Sequence, residues 1–249
     1  MLRTRSRLRA VALTFGLIAL AVPPAAHADL PSLSFGAPSR GPVPVRVVDA
    51  AGDRQVAAWT VTAEPGVNTV SWDGRAGDGV APAGRYRLEV GSEARTTATS
   101  VAQRAVEVTL ADHVFPIRGP HDLGRSIENR FGGGRGHEGQ DMFADCGTPV
   151  VAAQAGRVRE ADFHVAAGNF VVIATRDGGP DHAYMHLQEP ARVRPGDRVV
   201  AGTRLGAVGA TGRAFGCHLH FELWTAPGWY AGGHAIDPLP LLRRWNPAG

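Results

Sequence analysis

An all-β chain in two successive parts is what this sequence of 249 residues predicts. Three observations carry that reading. Short runs rich in β-branched and aromatic residues recur between clusters of Gly, Asp and Pro, the pattern of strands joined by turns. Beyond the first 28 residues, no stretch of useful length shows a helical period. Finally, past that leader every histidine lies between His113 and His234 and none in residues 29–112, so a part without site chemistry precedes a part that holds all of it.

Residues 1–28 read as a signal peptide. Arg3, Arg5, Arg7 and Arg9 form a positive start, Ala10 to Val22 is apolar, and Ala26-His27-Ala28 supplies a small-x-small cleavage site. No other segment approaches the roughly 20 apolar residues of a membrane span, and no cysteine stands directly after the cleavage site. An exported protein without a membrane anchor is therefore expected, in the cell wall, the periplasm or the medium. The leader carries four arginines and no acid, so its removal takes the formal charge from +3 to −1. The concentrated basic face that nucleic-acid binding needs is missing, and that class of function is set aside.

In residues 29–112 the strand candidates are Val43–Val48, Val56–Val61, Asn68–Trp72, Tyr86–Val90 and Arg104–Leu110. Their regular spacing predicts a sandwich. Asp73 and Asp78 sit in a Gly-rich turn and read as turn residues rather than calcium ligands. In residues 113–249 the candidates are Thr148–Ala152, Gly156–Arg159, Phe170–Thr175, Ala183–His186 and His218–Trp224. Cys146 and Cys217 are an even pair in an exported chain, which reads first as a disulfide, with two buried thiols as the alternative. Closing a loop of that length contributes about 4 kcal/mol in the chain-entropy model.

The chemistry concentrates in His218-Leu219-His220-Phe221. Alternation along a strand puts both imidazoles on one side and the two apolar residues on the other. His137 and Asp141 lie in a Gly-rich stretch upstream, and His186 lies between. Imidazoles with a carboxylate are the donor set of a catalytic zinc, which takes three protein ligands and keeps one position for water. The helical His-Glu-x-x-His arrangement is absent.

These pieces carry a resemblance. Residues from about 115 to 238 are similar to the lysostaphin-type (LytM-like) zinc metallopeptidases that cut peptide bonds in bacterial peptidoglycan. The matching pieces run in the family's order. They are Phe131-Gly132 and Arg135, His137-x-Gly139-x-Asp141, Gly147-Thr148-Pro149-Val150, Gly168-Asn169, Tyr184-x-His186-Leu187, Gly196-Asp197-x-Val199, Gly209-x-Thr211-Gly212 and His218-Leu219-His220-Phe221-Glu222. The resemblance implies that His137, Asp141 and His220 hold Zn2+ and that His186 and His218 are catalytic histidines off the metal. It implies peptidoglycan peptides as substrate and a compact antiparallel β-sandwich as fold. None of the five residues is missing, which argues against a wall-binding or amidase-regulating relative that kept only the fold. Where the family usually has proline before His-x-His this chain has Cys217, so a Cys146–Cys217 bond is expected to tie the strand of Asp141 to that of His220. Separately, Gly66–Gly74 with Pro82–Leu88 resembles the immunoglobulin-like module of flagellar hook-capping proteins.

Around these residues, His182 is expected at the surface and Tyr184 in a packed position. Glu138 and Glu222 are expected to point away from the neighbouring ligands. Trp224 and Trp229 fit either a groove wall or core packing, and His113, His121, His164 and His234 read as loop residues.

Overall fold

The structure, a computed structural model, describes residues 31–77, 79–91, 104–134 and 136–246. The expected leader, Asp78 and Arg135 lie outside the described residues. The first part contains β1 (Ser32–Ala37), β2 (Gly41–Asp49), β3 (Gln55–Ala63), β4 (Gly66–Ser71), β5 (Arg75–Ala76), β6 (Gly79–Val80), β7 (Gly84–Val90) and β8 (Arg104–Leu110). The second contains β9 (Asp122–Leu123), β10 (Gln140–Phe143), β11 (Pro149–Val151), β12 (Gly156–His164), β13 (Gly168–Thr175), β14 (Asp181–Leu187), β15 (Arg198–Val199), β16 (Arg204–Ala207), β17 (His218–Trp224), β18 (Ala235–Ile236) and a helix, α1 (Leu239–Trp245). The all-β expectation holds. The one α-helix among the described residues was not expected, because seven residues are too few to display a period. None of the described helices is long and apolar enough to cross a membrane.

In the first part an antiparallel sheet in the order β3-β2-β7-β8 faces the β1–β4 pair. Inward residues from both sheets, among them Phe35, Val43, Val45, Val47, Val70, Trp72 and Leu88, form one core. The expected turn role of Asp73 is seen directly. Its Oδ1 accepts the Arg75 N–H at 3.1 Å, and its Oδ2 pairs with the Arg75 guanidinium at 2.9 Å.

The second part is one large antiparallel sheet in the order β15-β12-β13-β14-β17-β10-β9, with β18 also against β17. The β11–β16 pair lies apart from it. The central strands β14 and β17 are buried along their whole length, so each must satisfy two faces. On one face Leu219, Phe221 and Leu223 of β17 join Met142, Tyr184, Val171 and Ile173 with Val150, Leu205 and Leu242, the main core. A fully buried Phe such as Phe221 contributes roughly 2–3 kcal/mol by removal of apolar area from water. The other face carries His218, His220 and Glu222 of β17. A second, separate core of Ala167, Phe170, Val172, Ala183 and Met185 lies on it, with Trp229 packed against it. The two parts meet where Val200 joins the core of the first, and Arg176 Nη1 donates to the Ala81 carbonyl at 3.3 Å.

Cys146 and Cys217 form a disulfide with Cα atoms 5.3 Å apart. It closes the ends of β10 and β17, whose register sets Asp141 opposite His220 and Phe143 opposite His218.

Candidate metal centre

Register explains why three residues far apart in sequence meet. Asp141 on β10 pairs directly with His220 on β17, and His218 lies one same-face position along. His137 arrives on the loop before β10, where its backbone carbonyl accepts the Gly132 N–H at 2.7 Å. Gly139 allows the approach. A Cβ there would stand 2.8 Å from His220 Nε2 and 2.5 Å from the Phe221 carbonyl.

The result is a cluster in which one ligand atom each from His137, Asp141 and His220 all lie within 4.8 Å of one another. His137 Nε2 is 3.1 Å and His220 Nδ1 2.8 Å from Asp141 Oδ1. A tetrahedral ion with bonds of roughly 2.0–2.2 Å separates its donors by roughly 3.3–3.6 Å, so this donor set fits zinc with small adjustments. Both rings are held from behind. His137 Nδ1 bonds the Arg130 carbonyl at 2.9 Å, and His220 Nε2 bonds Glu222 Oε1 at 2.9 Å. Such outer partners fix which nitrogen carries the proton and which faces the metal. Burial pushes the Asp141 carboxyl up, but hydrogen bonds from His137 and His220 outweigh it and hold the group well below the usual carboxylate range. For His220 burial works against the charged form. Asp141 and Glu222 outweigh it and raise the imidazole to about 9.

His186 and His218 stand beside the cluster with ring centroids 4.7 Å apart. His218 Nδ1 bonds the Gly216 carbonyl at 2.9 Å, and its Nε2 is 3.7 Å from Asp141 Oδ1. His186 Nδ1 bonds the Thr211 carbonyl at 2.8 Å, leaving Nε2 for the groove. Burial, then the neighbouring His218, lowers His186 to about 4. Strand alternation alone would put His186 with Tyr184, on the core face. The backbone at His186 has φ 62°, and the pairing register of β13 with β14 shifts between Asn169 and Val171. This left-handed residue turns the imidazole to the groove, beside Met185. Such conformations cost energy and concentrate at functional sites.

All five expected residues line one groove of about 990 Å³, with Phe143, Phe215, Trp229 and Tyr230 on its walls. Several neighbours differ from expectation. His182 is not at the surface. It is 1% exposed, set among Tyr184, Phe221 and Trp245, and burial lowers it to about 3. Tyr184 is packed as expected, but its hydroxyl accepts the Ala153 N–H at 2.8 Å and takes no part in the site. Glu222 does not point away, since it is two residues past His220 and shares its face. Its Oε2 accepts the indole N–H of Trp224 at 2.7 Å and of Trp229 at 2.9 Å. Glu138 accepts the Tyr230 hydroxyl at 2.7 Å across the groove's end. His164 ends β12 and also lines the groove.

A large antiparallel sheet thus carries a His/Asp/His cluster in a groove with aromatic walls. Residues 135–238 match the model of Peptidase family M23. The chain is 36% identical over 126 residues to the glycyl-glycine endopeptidase ALE-1 of Staphylococcus capitis, covering 50% of this chain and 32% of that protein. It is 36% identical over 126 residues to lysostaphin of Staphylococcus simulans, covering 50% and 24%. Over 88 residues it is 39% identical to the peptidoglycan DD-endopeptidase ShyC of Vibrio cholerae, covering 35% and 20%. The chain thus spans about a third or less of the length of these relatives. The solved lysostaphin structure from Staphylococcus simulans aligns at 32% identity and TM-score 0.46, over 52% of each chain.

Proposed function

We propose that this chain is an exported, zinc-dependent endopeptidase that hydrolyses peptide bonds in the cross-links or stem peptides of bacterial peptidoglycan. The observation that carries the reading is the cluster of His137, Asp141 and His220, with His186 and His218 beside it in one groove. The names of the relatives supply the substrate class, glycyl-glycine and peptidoglycan bonds.

His137 Nε2, Asp141 Oδ1 and His220 Nδ1 would hold the metal. When bound, zinc supplies Lewis acidity to the scissile carbonyl and to the attacking water. The chain's own residues do the rest. His186 and His218 each have Nδ1 tied to a backbone carbonyl, which fixes Nδ1–H and leaves Nε2 as the proton-accepting nitrogen. At neutral pH a His186 lowered to about 4 is uncharged and can accept the proton of the attacking water. Between them the two imidazoles take that proton and return it to the leaving amine. Phe215, Trp229 and Tyr230 offer apolar walls along which an extended peptide can lie.

We assign residues 29–112 to an immunoglobulin-like module and 113–249 to the peptidase, each with its own core. The test is incubation of purified protein with cell-wall sacci beside His220→Ala. The reading expects soluble peptides from the first alone, with the cut bond identified by mass spectrometry. Equal release from both would reject it.

A further inference from the structure

Glu222 is 4% exposed and receives three N–H donors. Its Oε1 faces His220 Nε2, and its Oε2 faces the indoles of Trp224 and Trp229. Trp229 is pinned at its backbone as well. Its N–H donates to Asp181 Oδ2 at 3.0 Å, and Asp181 pairs with Arg159 at 2.9 Å. The preceding Gly228 has φ 123°, and a Cβ there would run into Asp181 and Arg159. The ring of Trp229 packs on Phe170, centroids 5.1 Å apart, and lines the groove.

We propose that Glu222 is a positioning residue which holds His220 by Nε2–H, presenting Nδ1 to the metal, and fixes Trp229 in the groove wall through the same carboxylate. The inference rests on the reading of His220 as a ligand. Only an ionised carboxylate serves all three donors, because it accepts at both oxygens and donates nothing. Glutamine turns an NH2 towards at least one N–H, so one donor loses its partner. A substrate pressing on Trp229 therefore acts on the same anchor that orients the metal ligand.

The test compares wild type, Glu222→Gln and Trp229→Phe. Zinc affinity is measured by chelator competition, and the ligand field by the absorption of the cobalt-loaded protein. Removing such a partner costs about 10- to 100-fold in metal affinity, the loss expected for folded Glu222→Gln together with a changed cobalt spectrum. Trp229→Phe, which removes one indole donor, raises KM several-fold while kcat changes by less than about threefold. Nitrogen-15 spectra of zinc-loaded wild type should show the His220 proton on Nε2. They decide the matter even where Glu222→Gln does not fold. A folded Glu222→Gln with wild-type zinc affinity, or a His220 proton on Nδ1, overturns the proposal alone. A wild type that binds no zinc overturns the ligand reading beneath it as well.

Discussion

Opening the disulfide separates what holds the fold from what aligns the site. The perturbation is the double variant Cys146→Ala, Cys217→Ala. The bond spans 71 positions, and its loop, released in the unfolded chain, restores conformational entropy worth about 4 kcal/mol at 25 °C. Against a typical total of about 5–15 kcal/mol this is a large share. Cys146 is exposed and Cys217 half-buried, so the missing sulfurs add little cavity cost. The measurement is guanidinium unfolding of both proteins with metal chelated, because a ligand bound only to the native state adds its own stabilisation. The expected result is a stability lower by about 3–5 kcal/mol at unchanged native secondary structure. The β10–β17 register rests on backbone hydrogen bonds, so zinc binding to the folded variant should persist. A loss below about 1 kcal/mol would refute the loop-entropy argument, showing that the unfolded chain is already restrained between these positions.

Gly139→Ala places a Cβ against His220 Nε2 and the Phe221 carbonyl, so a loss of about 1–3 kcal/mol and of zinc affinity is expected from unfolding and titration curves. His186→Ala and His218→Ala should keep zinc, measured by metal analysis, while losing about 10²-fold or more in kcat/KM; His220→Ala should lose the metal itself. His182 has its folded value lowered from 6.5 to about 3, so the unfolded chain binds a proton that the folded one refuses. Its contribution is intact above pH 6.5 and falls as pH drops towards 3, by about 2 kcal/mol at pH 5. Between pH 7 and 5, His182→Gln should therefore lose less stability than wild type, and equal losses in the two unfolding series would contradict the assignment.

The strands were legible where residue type and alternation agree. Arg104–Leu110 and His218–Trp224 stand in the structure with the bounds that composition suggests. β10 and β16 were not legible as strands. At four residues each they carry glutamine, aspartate, arginine and glycine, and they owe their pairing to β17 and β11 rather than to propensity. The five residues that line the groove together were legible as an ordered set of motifs, whereas the groups that hold them were not. The Arg130, Thr211 and Gly216 carbonyls that hold the imidazoles are backbone atoms of loops, which residue type does not mark. His182 misled because histidine is usually exposed, and here aromatic neighbours from β17 and α1 enclose it.

Glu222 is a different case, because alternation already contained the answer. Positions 218, 220 and 222 share a face on any regular strand. The same period that sets Leu219, Phe221 and Leu223 in the core sets two histidines and a glutamate in line on the other side. A carboxylate there, buried beside imidazoles, must find donors or lose its charge, and it finds His220 and two indoles. His186 shows the converse. Alternation on β14 predicts the wrong face, and a single residue at φ 62° brings the imidazole round. The centre thus depends on one strand that keeps its period and one that breaks it. Substituting Asn for His186, which among residues with a side chain tolerates that conformation well, should preserve the β14 backbone while removing the imidazole from the groove.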